Sequence, residues 1–127
     1  MQLGLAAWHR YTLGSDPELL AELVAEDAVL HSPLAQRAEE GHAAVVVHLG
    51  AAGAVLRGRD FRYVRQLVDG PEACLEYETT VGGTPVNGVD LIRFDLEGRI
   101  ADFTMMLRPV QAIDVVWKRM ACELENT

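Results

Sequence analysis

The stretch that decides the fold is residues 72–95, EACLEYETTVGGTPVNGVDLIRFD. Two runs of alternating character flank a glycine pair. In the first run Leu75, Tyr77 and Thr79 fall on one face and Glu76 and Glu78 on the other, because successive side chains of a strand point to opposite faces. In the second run Asp90 shares a face with Ile92 and Phe94, while Leu91 and Arg93 point away. Gly82-Gly83 reads as a two-residue hairpin turn, which needs residues that tolerate positive φ. The stretch is therefore an antiparallel hairpin whose apolar face carries an acid.

Two further strands extend this hairpin into a meander. Residues 61–68 precede it, turned by Asp69-Gly70-Pro71, and residues 99–108 follow it, turned by Leu96-Glu97-Gly98. Pro109 ends the sheet and starts a terminal helix to about residue 123, with Ile113, Val116, Trp117 and Met120 expected on its buried face. The first half of the chain is mostly helical. A helix over residues 3–13 is stopped by Gly14, and a second begins with Asp16 as N-cap and Pro17 at the first helical position. Leu19, Leu20, Leu23 and Val24 form the buried stripe of this second helix. Residues 28–31 read as a short strand closed by Ser32-Pro33, and Gly41 opens a third helix bearing Val45, Val46 and Leu49. Helices gathered first and antiparallel strands afterwards predict an α+β fold: a helix-backed, curved, cone-shaped sheet around an internal pocket, in one domain over residues 1–127.

Composition narrows the function. The 127 residues carry 11 basic and 19 acidic side chains, a net charge of −8, so counterion release on a nucleic acid offers little and anionic membranes repel the chain. No apolar run reaches the ~20 residues of a membrane-spanning helix, and the start lacks a basic region and long apolar core, which makes the cytoplasm the expected compartment. Cys74 and Cys122 make no disulfide framework and read as two packed thiols. His9, His42 and His48 meet neither one another nor an acid at ligand spacing, so neither a metal nor another cofactor is expected. Arg57, Arg59, Arg62 and Arg65 read as a solvated edge. Phosphate-cradling loops, dinucleotide fingerprints and nucleophile elbows are missing from the sequence.

Asp90 is the chemically pointed residue. Flanked on its own face by Ile92 and Phe94, its carboxylate would be poorly solvated, so its pKa should rise and the protonated form would donate a hydrogen bond to a ligand oxygen. The competing reading is an acid that ties the sheet together through a backbone group or a tyrosine. Tyr77 is likewise either a donor beside Asp90 or a core residue. Phe103 and Met105 share a face of the last strand and form either core or a pliable pocket wall, as do Leu75 and Ile92 on the neighbouring strands.

Three stretches together, Leu23-Val24-Ala25-Glu26-Asp27-Ala28-Val29-Leu30-His31-Ser32-Pro33, Gly88-Val89-Asp90-Leu91-Ile92-Arg93-Phe94-Asp95 and Gly98-Arg99-Ile100-Ala101-Asp102-Phe103, resemble the nuclear transport factor 2-like (cystatin-like) superfamily and its SnoaL-like members. The resemblance covers nearly the whole chain. It implies the cone fold, a small apolar, polyketide- or steroid-like ligand, and a homodimer through the outer sheet face carrying Arg93, Thr104 and Met106. It also implies that Asp90 stands where ketosteroid isomerases place a protonated Asp that shares an oxyanion hole with a Tyr. Trp8 stands near that Tyr's place, and Ser32 occupies the position of the isomerase base, which a serine cannot replace without a partner. Met105 stands near the last Asp of the limonene epoxide hydrolases, so that chemistry is disfavoured too. The leading expectation is a small-molecule-binding protein whose ligand contacts are Asp90, Tyr77, Trp8, Ser32, Phe103, Met105, Leu75 and Ile92. Two alternatives stay open: an isomerase, cyclase or hydrolase with Asp90 as its catalytic general acid and a water held by Ser32 or His31, or a dimerisation module with a filled cone.

Overall fold

The computed structural model describes residues 3–125. Its elements run α1 (Leu3–Gly14), α2 (Pro17–Leu23), β1 (Val24–His31), β2 (Glu39–Glu40), α3 (His42–Leu56), β3 (Arg62–Asp69), β4 (Glu72–Val81), β5 (Thr84–Phe94), β6 (Ile100–Arg108) and α4 (Val110–Glu125). The six strands form one mixed, curved, open sheet in the order β2-β1-β6-β5-β4-β3, with β1 parallel to β6 and every other pair antiparallel. The α+β expectation therefore holds.

Local chemistry sets most boundaries. Asp16 accepts from the Glu18 backbone N–H at 3.0 Å ahead of Pro17, as its N-cap role predicts. Gly82 and Gly83 both take positive φ, 56° and 81°, which turns β4 tightly into β5. Register shifts between Tyr63 and Arg65 in β3 and between Arg93 and Phe94 in β5 interrupt the ladders, the kind of irregularity that bends a sheet. The inner faces of β4 and β5 are buried at every second residue, and β6 buries Ile100, Phe103 and Met105, against helices that include α3 and α4.

Several sequence expectations are corrected. β1 begins at Val24, which is strand rather than helix, because it pairs in parallel with Ile100 of β6. The two-residue β2 was not expected; its glutamates pair with Val29 and Leu30 at the sheet edge. In α4 the buried positions are Ala112, Val116 and Met120, while Trp117 is exposed. Cys122 is exposed as well, and Cys74 half-buried, so they are not two packed thiols. No described helix is long and apolar enough to cross a membrane.

Candidate functional site

The alternation of β4 and β5 delivers Tyr77 and Asp90 to the inside of the cone. Leu75 sits directly opposite Asp90 on β4, and Met105 sits opposite it on β6. Together with Ile92, these neighbours surround the carboxyl with hydrocarbon. Burial therefore pushes the Asp90 pKa up from its ordinary 3.8 to about 7, and the positive charge of Arg57 offsets only part of that rise. An acid so placed holds its proton up to neutrality and can act as a donor.

Tyr77 comes next to it for a reason written in the backbone. Its Cα partner on β5 is Gly88, and a Cβ added there would collide with the Tyr77 ring and hydroxyl. The absent side chain lets the phenol lie flat across β5, with Phe61 stacked beside it at 5.0 Å between ring centroids. The Tyr77 hydroxyl is fully buried and has no hydrogen-bond partner. Burial, with the nearby Asp90 charge, raises its pKa well above the ordinary tyrosine value, so it stays protonated. Tyr63 is shifted upward by the same two causes.

The third wall is α1. Trp8 is 1% exposed and packs its ring against Phe103 and Tyr11, at centroid distances of 5.2 and 5.4 Å. Its indole N–H donates to the Tyr63 hydroxyl at 3.0 Å, so Trp8 offers the cavity its ring face while the expected donor is already engaged.

Asp90, Tyr77, Trp8, Phe103 and Met105 thus line one cavity, and Leu49, Leu56 and Phe61 join them. Leu75 and Ile92 lie on the same sheet face, 0% and 2% exposed, behind the lining side chains. Ser32 is not brought to the cavity: its hydroxyl accepts from the Leu34 backbone N–H at 3.1 Å in the turn after β1. His31 is half-exposed and faces Asp102, Nε2 to Oδ2 3.4 Å, also away from the cavity. The turn that closes β1 draws Ser32 into its own backbone, and the strand's alternation leaves His31 on the opposite side.

Arg57 is the residue the sequence reading misplaced. Arg62 and Arg65 do form the expected edge, paired with Glu78 and Glu76. Arg57 instead caps α3 and folds back across Gly53, setting its guanidinium 5.6 Å from the Trp8 ring centroid and 5.0 Å from that of Tyr11. Thr79 of β4 donates to the Leu56 carbonyl at 3.0 Å and pins this end of α3 against the sheet. With the guanidinium inside, the centre of a water-sized sphere can roam only about 10 Å³ of the cavity, which is room for one water. A much larger open depression, about 600 Å³, lies at the rim beside Arg62, Glu78, Asn87 and Arg108, but Asp90 and Tyr77 do not line it.

Comparisons with known proteins match this fold. A family model described as a SnoaL-like domain matches residues 5–103. The chain is similar to a steroid delta-isomerase from Pseudomonas aeruginosa: 36% identity and a TM-score of 0.90, covering 97% of this chain and 90% of that one. It is also similar to an uncharacterised protein with a cystatin-like fold from Silicibacter pomeroyi: 30% identity and a TM-score of 0.87, covering 96% and 85% of the two chains. A nuclear transport factor 2-like protein of unknown function from Mesorhizobium loti shares the fold at 23% identity and a TM-score of 0.70, over 84% and 91% of the two chains. No curated protein matches the chain with significance.

Proposed function

This chain belongs to the SnoaL-like domain family, and we propose that it acts in the cytoplasm as a binding protein for a mostly apolar small molecule bearing one or two oxygens. The observation that carries this reading is a buried pair of donors: an Asp90 carboxyl that favours its protonated form and a Tyr77 hydroxyl without a partner, facing one aromatic-walled cavity. Two donors lining one cavity suit a ligand carbonyl or alcohol oxygen. The similarity to a protein described as a steroid delta-isomerase supports a polyketide- or steroid-like scaffold. Binding comes before catalysis in this reading. Asp90 is the one carboxyl among the described residues lining the cavity, and the group resembling the isomerase base, Ser32, lies outside it.

A molecule larger than water needs the side chains around this cavity to give way, the Arg57 stem among them. The small space left around that head favours a second reading, a filled cone with a purely structural role.

A neutral probe, 2-naphthylmethanol, separates the two in calorimetric titration. Binding to the wild type should weaken about tenfold in Asp90→Leu, which replaces the acid with an apolar side chain of similar size, and about tenfold in Tyr77→Phe. The Tyr77→Phe variant should be at least as stable as the parent, since it removes a buried hydroxyl that lacks a partner. Equal affinity in all three proteins would remove Asp90 and Tyr77 as anchors, and no binding at all would leave the filled cone standing.

We also propose that a second copy covers the outer sheet face, where Leu67, Leu91 and Met106 are 58%, 37% and 54% exposed. Sedimentation equilibrium should show a dimer that Met106→Arg dissociates; a wild-type monomer would refute it.

A further inference from the structure

Arg57 carries the inference furthest. Its guanidinium carbon lies over the Trp8 and Tyr11 rings, 5.6 and 5.0 Å from their centroids. Nε and Nη2 are both fully buried without a hydrogen-bond partner. The ring contacts explain where the head rests. It does not explain burying charged donors with nothing to receive their protons, which is costly wherever it occurs.

The fold makes special provision for this placement. A Cβ at Gly53, one turn before Arg57, would collide with the guanidinium, so the helix leaves open the space the head occupies. The Arg57 backbone N–H bonds to the Gly53 carbonyl at 2.9 Å, and the preceding carbonyl is held by Thr79. The backbone beneath this arginine is therefore fixed, while its side chain lines the same cavity as Asp90 and Tyr77.

Resting on the proposal that this cavity binds a small molecule, we propose that its ligand is a carboxylic acid, recognised in ionised form by the donor edge of Arg57. A planar carboxylate matches the guanidinium fork with two parallel hydrogen bonds, a geometry that neither a lone carbonyl nor an alcohol can satisfy. The Tyr77 hydroxyl and the Asp90 carboxyl then serve the same end. Both are donors, and Asp90 carries no competing charge while protonated, so the cavity keeps the positive charge of Arg57 available to an anion. Above neutrality an ionised Asp90 would repel the same ligand. The apolar remainder of the ligand would lie against Phe103 and Met105.

Two matched probes test this at pH 6: 2-naphthoate, an anion, and 2-naphthylmethanol, its neutral counterpart of similar size. The wild type should bind the acid at least about tenfold more tightly than the alcohol. Arg57→Gln, neutral but still polar, should abolish that preference, so that acid and alcohol bind with affinities within about threefold of each other. Arg57→Lys, which keeps charge and stem but not the planar fork, should retain only part of the preference and serves as the reading if the Gln variant does not fold. An equal affinity for both probes in the wild type, or a preference that survives Arg57→Gln, overturns the assignment. If the alcohol binds through Asp90 and Tyr77 with no advantage for the acid, Arg57 recognition fails and the small-molecule reading stands. If the wild type binds neither probe, both fail together.

Discussion

Asp90→Asn should make the protein more stable than its parent at pH 8, by an amount that nearly vanishes at pH 4. The reason is proton linkage. Burial raises the folded-state pKa of Asp90 from about 3.8 to about 7, so in the folded protein the group keeps a proton that the unfolded chain has already lost. Its favourable contribution is fully present below the unfolded pKa. It declines as pH rises from about 4 and is lost by about 7, where burying the charge has its full cost. At 1.36 kcal/mol per pKa unit the loss comes to about 4 kcal/mol. Asparagine is close to isosteric and cannot ionise, so subtracting the two proteins cancels every other titrating group. Urea unfolding of both proteins at pH 4, 6 and 8 measures the effect. A gap that widens with pH is expected; a constant gap, or one that favours the parent at pH 8, would mean that Asp90 is a paired structural acid.

Gly88→Ala should cost about 2–3 kcal/mol, large for a single added methyl group. Its Cβ would lie inside the Tyr77 ring, and the phenol is walled by Phe61 on one side and the cavity residues on the other, so it has little room to yield. The cost should fall by at least about 1 kcal/mol in a Tyr77→Leu background, because the collision is with the ring itself. Two denaturation series and their double-mutant cycle suffice. Equal costs in the two backgrounds would place the strain in the β5 backbone.

These two positions show how legibility was distributed along the chain. Asp90 could be read because alternation along one strand determines its face, and its same-strand neighbours Ile92 and Phe94 already forecast a dry environment. The pairing of Tyr77 with Asp90's strand followed from the Gly82-Gly83 turn, which fixes register. Gly88 was read only as part of its strand, and what its missing side chain makes room for could be known only from the cross-strand partner.

Arg57 and β1 were hidden for a different reason. Arg57 sits in a run of arginines whose other members do face solvent, and only the tertiary fold brings its side chain to Trp8 and Tyr11. β1 takes its first residues from a parallel pairing with β6, about seventy residues away, so local propensity ended the preceding helix too late. Ser32 and Trp8 show the limit of reasoning by position. One was drawn into a turn and the other gave its donor to Tyr63.

The central claim is that Asp90 is a buried, protonated donor within a ligand cavity, and carboxyl-carbon NMR of protein labelled at aspartate measures this directly. A titration midpoint near pH 7 for Asp90, moving when 2-naphthoate or 2-naphthylmethanol is added, is the predicted result. A midpoint below about 5 that neither probe disturbs would contradict it.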